Sequence, residues 1–246
     1  MIDLPILVLL GAFFVLLVAS VIRTTAGFGF SLVAVPPMAL LIDPVTAVIV
    51  AAIMAAPLSL WIAYKDFSHV DRRLAGLILG FGIAGVPFGV WILKVLAAEI
   101  LMVVIAIVVL LGTFLVWRRV TIPGGHKAVA AVGFFSGASF ASTGIDGPPM
   151  VAALQGMNLE PRVQRATLAL AFAGTGLAAL TGFAVSGQLT QTIGETLLMG
   201  IPALFLGIFV GERLFRQLNA ATFRQVVLTL LVISSISVIT RATVLA

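Results

Sequence analysis

AGFGFSLVAVPPM, residues 26–38, and ASFASTGIDGPPM, residues 138–150, decide how this chain is read. Each runs a Gly/Ser/Thr-rich stretch into a double proline and a methionine, and each is embedded in apolar sequence. A residue before proline is pushed out of the α region, so Val35 and Gly147 are expected to mark helix breaks. Proline suits the first turn of the helix that follows, where its missing N–H is not needed. Two matched breaks, one in each half, are the sequence pointer to a transporter's binding site near the bilayer midplane.

The surroundings of those breaks fix the class. Hydrophobic residues make up 61% of the chain and charged residues 9%, with a mean hydropathy of +1.25. A soluble chain of 246 residues needs far more charge on its surface. The apolar runs are continuous rather than alternating, which excludes a β-barrel. The expected fold is therefore an all-α polytopic membrane protein. There is no cysteine, so disulfides, thiolate chemistry and Cys-based metal sites are excluded. His69 and His126 sit among loop charges, and no HExxH, P-loop, GxSxG or catalytic triad is present. No enzyme activity, metal or cofactor is expected. The net charge of +5 comes from basic residues flanking the apolar runs, which points to membrane topology rather than nucleic acid. The opening MIDLPILVLLGAFFVLLVAS carries Asp3 and no basic n-region, and reads as a first span rather than a cleaved signal.

A span needs roughly 17–25 apolar residues. Candidates are 6–22, 26–42, 45–63, 74–93, 100–117, 128–142, 145–158, 166–184, 193–210 and 223–241. The pairs 6–42 and 128–158 are either broken crossing helices or re-entrant hairpins, so eight to ten transmembrane segments are expected. The loop from Lys65 to Arg73 is strongly basic and is placed in the cytoplasm. Counting crossings from there puts Arg23, Arg118, Arg119, Lys127, Arg162, Arg165, Arg213, Arg216 and Arg224 on the same side. Ser186–Glu195 carries no Lys or Arg and falls outside, with Lys94, Arg241 and both termini. Residues 128–158 must then leave and return on the cytoplasmic side. Trp61, Tyr64, Trp91 and Trp117 lie near span ends and read as interfacial anchors.

Repeats come next. An offset of 112 aligns Pro36-Pro37-Met38 with Pro148-Pro149-Met150, and places Ala34 opposite Asp146. An offset of 122 aligns Gly85 and Gly89 with Gly207 and Gly211, two GxxxG pairs that suit close helix packing in lipid. Residues 1–122 and 123–246 are thus expected to form two membrane repeats of about five segments each. An odd number per half makes the second copy enter from the opposite face, giving an inverted-topology repeat.

The chemistry expected at the breaks is anion binding. The first amides of a helix lack intrahelical partners, and with the helix dipole they favour a negative charge. Gly27, Gly29, Gly144 and Gly147 would let backbone N–H groups approach an anion, beside Pro36 and Pro148. Hydroxyls at Thr24, Ser31, Ser139, Ser142 and Thr143 are candidate donors to it. Arg23 ends the first apolar run. Inside the protein its guanidinium could attract or bind the anion; at the boundary it would simply snorkel. Asp146 lies far from loop charges, where ionisable groups are expensive and functional. It is a candidate proton-coupling residue, or else the N-cap of the helix at Pro148. Gln155 and Asn158 are polar groups at the inner end of a short helix, with Gln155 a candidate substrate contact. Arg162 and Arg165 read as topology determinants that could also gather anions.

These features resemble the sulfite exporter TauE/SafE family of membrane anion permeases. Gly27, Gly29, Pro36 and Pro37 match in the first half, Gly144, Gly147, Pro148 and Pro149 in the second, and Gly85/Gly89 with Gly207/Gly211 later in each. Phe28 and Phe30 interrupt the first glycine run, and Ser139, Ser142 and Thr143 replace glycines in the second. The resemblance implies export of small sulfur-containing anions, sulfite or organosulfonates such as sulfoacetate, across a prokaryotic inner membrane. A small anion and the bilayer are the expected partners, and a homodimer is a candidate assembly. An anion leaving the cell gains about 2.3 kcal/mol per 100 mV, so export could run as a uniport. The alternative is a channel or carrier for a cation or neutral solute, since carbonyl ends of the same breaks could face a cation.

Overall fold

The computed structural model describes residues 4–26, 28–217 and 229. Among them are nine α-helices and no strand: α1 Ile6–Ala26, α2 Phe30–Leu41, α3 Pro44–Lys65, α4 Arg72–Val95, α5 Ala98–Arg118, α6 Gly125–Thr143, α7 Gly147–Gln155, α8 Pro161–Val185 and α9 Gln191–Gln217. Six of these (α1, α3, α4, α5, α8 and α9) are long and apolar enough to cross a membrane. The protein is therefore an all-α polytopic membrane protein. α2 and α7, with 12 and 9 residues, are too short to span. The candidate span 223–241 lies outside the described residues. Local chemistry sets the helix starts. Pro44 opens α3 behind Asp43, whose carboxylate accepts from the Thr46 amide at 2.9 Å. Asp71 does the same for α4, accepting from the Arg73 and Leu74 amides at 3.0 Å.

The two breaks differ in construction. In the second half α6 stops at Gly144, whose φ of 76° is left-handed, and α7 starts at Gly147 with Pro148 in its first turn, as expected. In the first half the break lies at residues 27–29, where Gly29 has φ 90°, and not at Val35. Pro36 and Pro37 stand inside α2 instead. Proline only disfavours the α region in the residue before it, whereas a left-handed glycine stops a helix outright. α2 tolerates its prolines by giving up the bonds they would have donated to the Leu32 and Val33 carbonyls.

The helix bounds of the two halves compare in a different register from the proline alignment. A shift of 117 residues carries Ala26 to Thr143, Phe30 to Gly147 and Pro44 to Pro161. The most extensive packing in the bundle is α4 on α6 and α1 on α9; the packing positions on α1 and α6 keep the shift of 117, while the glycines of α4 and α9 are 122 apart. A Cβ on Gly85 would overlap the Phe134 carbonyl and the Ala138 amide of α6; one on Gly207 would collide with the Leu17 carbonyl and the Val21 amide of α1. Gly89 stands against Ala138 and Ala141, and Gly211 against Val21 and Thr24. Leu17, Val21 and Thr24 shifted by 117 are Phe134, Ala138 and Ala141. Under this register Gly29, not Ala34, stands opposite Asp146. Lipid tails are as apolar as leucine, so such close backbone contacts supply packing that hydrophobicity alone cannot. Between the two seams α3 packs on α8.

Charge gathers at one end of the bundle. Lys65 at the end of α3 pairs with Glu212 of α9 at 2.6 Å, and Arg162 at the start of α8 reaches Asp66 at 3.1 Å. The Asp71 amide, before α4, donates to Thr167 of α8 at 3.0 Å. The Ile122 amide, in the linker before α6, donates to the Ala152 carbonyl near the end of α7 at 3.0 Å. The α6–α7 pair therefore starts and finishes at the same end, as a re-entrant hairpin. Trp61, Tyr64, Trp91 and Trp117 are exposed on the outside of the bundle.

Candidate functional site

The two breaks touch. A Cβ on Gly147 would stand 3.2 Å from Phe28, and one on Gly144 would stand 3.1 Å from Val35 and 3.5 Å from Ser31. Behind this contact lies a cavity of about 10 Å³, room for a single water. Arg23 from the last turn of α1, Ser31 from α2, Ser59 from α3 and Asp146 from the second break supply its polar lining. Phe140, Phe172, Ala55 and Ala56 supply the rest.

Arg23 is 2% exposed. Its Nη2 donates to the Ser59 hydroxyl, and its guanidinium lies 5.6 Å from the centre of the Phe172 ring. Its Nε is buried without a hydrogen-bond partner. No ion pair within 4.0 Å joins it to a carboxylate among the described residues. The snorkelling alternative is thereby excluded: this arginine is inside the protein, α1 being covered by α2, α3 and α9. Asp146 is 8% exposed and stands at the N-cap position of α7, as one of the two expectations had it, but its side chain makes no capping hydrogen bond to the helix. Its main chain is fixed instead. The Ser136 hydroxyl donates to the Asp146 carbonyl at 2.7 Å, and Ser139 donates to the Ile145 carbonyl at 2.6 Å.

Those bonds correct the expected donor set. Ser142 gives its proton to the Ala138 carbonyl at 2.8 Å, and Thr143 gives its own to Ser139 at 2.8 Å. A hydroxyl carries one proton, so Ser139, Ser142 and Thr143 hold the break together and are not free donors. Thr24 is buried with its hydroxyl unpartnered, against Gly211 of α9. Gly29 and Gly144 supply the left-handed turns. Pro148 packs against Gly112 of α5. Pro36 is buried in α2 outside the cavity lining. Gly27 lies outside the described residues. Gln155 stands apart from the cavity. It lines a separate vestibule of about 190 Å³ with Phe28, Gln164 and Arg165, at the basic end of the bundle. Arg165, in the vestibule lining, donates from Nη2 to the Thr24 carbonyl at 3.2 Å, one residue along from Arg23.

Three participants escaped the sequence reading. Ser59 carried a signal, a hydroxyl deep in the apolar run 45–63, and Phe28 sits inside the first motif. Phe172 carried none, because one phenylalanine in an apolar helix looks like any other.

The model of one family, sulfite exporter TauE/SafE, matches residues 12–238, nearly the whole chain. The chain belongs to the sulfite exporter TauE/SafE family. This is a family of membrane transporters rather than enzymes. Nothing matches among curated proteins or among solved structures.

Proposed function

We propose that this TauE/SafE protein exports small sulfur-containing anions, sulfite or an organosulfonate such as sulfoacetate, from the cytoplasm across a prokaryotic inner membrane. One observation carries the reading: Arg23 is buried, without an ion-pair partner within 4.0 Å, in a cavity that both helix breaks help to close. A buried guanidinium with a free N–H is a strong donor to a sulfonate or sulfite oxygen. The anion enters at the basic end through the Arg165 vestibule and passes Phe28 to reach Arg23.

The halves 1–122 and 123–246 act as an inverted repeat in this scheme. The 117-residue register and the matched glycine seams support it. Alternating access then consists of one hairpin and its seam partner rocking against the other around α3 and α8. Each seam is a tight backbone contact, suited to moving as a unit.

Flux of sulfite and sulfoacetate in proteoliposomes tests this. Wild-type protein is expected to move at least one of them, and Arg23→Gln to move neither. Well-folded wild-type protein that moves no anion, or an Arg23→Gln variant as active as wild type, would sink the proposal. Asp146 on the same cavity favours the second reading, a carrier for a cation or neutral solute. Sodium-dependent thermal stabilisation without any response to sulfite or sulfonates would select it.

A further inference from the structure

The cavity that holds Arg23 also holds a carboxylate. Arg23 comes from α1 and Asp146 from the α6–α7 break, and no other charged side chain lines the space. With both groups ionised the empty cavity is neutral. A monoanion bound at Arg23 would leave a net charge of −1 in an enclosed site, and an uncompensated buried charge costs several kcal/mol.

Among the side chains that line the cavity, Asp146 is the one that can restore neutrality by taking up a proton. Arg165 of α8 is the next charged group, held at the Thr24 carbonyl. α2 and α7 carry no titratable residue; α3 carries Lys65 at its far end, α5 carries Glu99 and Arg118 at its two ends, and α6 carries His126 and Lys127 in its first turn. Ser31 and Ser59 offer hydroxyls, which do not change charge. Ser136 and Ser139 bind the carbonyls of Asp146 and Ile145, which fixes the backbone there while leaving the carboxylate without a cap.

We infer that binding of a monoanion at Arg23 is coupled to uptake of one proton by the Asp146 carboxylate, so that the carrier moves anion and proton together. The proton comes from the solution on the side to which the site is open, bonds to a carboxylate oxygen, and returns to solution on the far side when the anion leaves. The loaded and empty carriers are then both neutral at the site. Transport becomes electroneutral and independent of the membrane potential, in place of the potential-driven uniport expected from sequence; export then runs down the anion gradient, and a more acidic exterior opposes it. This inference rests on Arg23 as the anion ligand.

The test uses methanesulfonate, whose own charge is constant across the working pH range, and the purified full chain. Proton uptake on binding is read by calorimetry in two buffers of different ionisation heat. Wild-type protein is expected to take up about one proton per anion, and Asp146→Asn none. In proteoliposomes wild-type flux should follow an imposed pH gradient and ignore a potassium diffusion potential; the Asn variant should show the reverse. Binding to wild type without proton uptake overturns the coupling and leaves the Arg23 site standing. Should Asp146→Asn not fold, the wild-type proton count decides alone. If wild type binds neither methanesulfonate nor sulfite, the Arg23 site itself fails and the coupling falls with it.

Discussion

Arg23 is oriented by a hydroxyl and an aromatic face, and both contacts can be varied separately. Truncating one side of a buried charged contact costs about 2–5 kcal/mol, so Arg23→Gln should weaken sulfite or sulfonate binding at least roughly thirtyfold. Ser59→Ala removes the acceptor that aims the guanidinium. A hydrogen bond to a charged group contributes about 1.5–3 kcal/mol, so affinity should fall roughly tenfold to a hundredfold while the protein still folds. Ser142→Ala is the matched comparison. Its hydroxyl serves only the Ala138 and Ser139 carbonyls, so anion affinity should stay within about twofold of wild type. Titration calorimetry of the three variants checks all of this; equal losses in Ser59→Ala and Ser142→Ala would contradict the assignment. The sequence reading offered Ser142 as a candidate donor and passed over Ser59. It could not separate a proton donated to a main-chain carbonyl from one available to a ligand, because that depends on backbone positions.

The glycine seams make the clearest statement about elements. Gly85 and Gly89 of α4, and Gly207 and Gly211 of α9, stand where a Cβ would strike a neighbouring helix. Gly85→Val and Gly207→Val should each destabilise by about 1–3 kcal/mol through overpacking, and lower the midpoint of thermal unfolding in detergent by several degrees. Gly76 and Gly80 lie in the same helix as Gly85, with nothing within 4 Å. Gly76→Ala and Gly80→Ala should be neutral or stabilise by about 0.5–1 kcal/mol, since alanine loses less backbone entropy in a helix. A destabilised Gly76→Ala, or a Gly85→Val that melts like wild type, would refute the seam. The GxxxG spacing made both seams visible in the sequence. Their partners were not visible: nothing in α1 or α6 marks Leu17 or Phe134 as the carbonyl against which a glycine must lie.

At the scale of the molecule, the re-entrant course of α6–α7 makes a topological prediction. The chain has no cysteine, so single cysteines can be introduced on a silent background. Arg73→Cys, His126→Cys and Glu160→Cys replace exposed residues at the basic end and should react with a membrane-impermeant maleimide from one side. Thr190→Cys, in the linker between α8 and α9, should react from the other. His126→Cys and Glu160→Cys reacting from opposite sides would mean that α6–α7 crosses the membrane. The charge pattern had already required residues 128–158 to leave and return on one side, so this fold feature was legible before any coordinates. The breaks were legible only in part. Gly147-Pro148 opens a helix as its letters suggest, whereas Pro36-Pro37 sits inside one and Gly29 makes the turn.

Composition and charge placement settled the solvent, the helical class and the common end of the basic loops, because lipid imposes a length and a polarity on every segment whatever its neighbours do. Tertiary structure alone decided that Arg23 and Asp146, 123 positions apart in the chain, share one cavity. It also decided that the helix bounds around the two breaks compare at a shift of 117 rather than 112. Both depend on which helix faces which. In a bilayer that choice is made by close packing and by where buried hydroxyls find carbonyls, and neither is written in the hydrophobicity of a single segment.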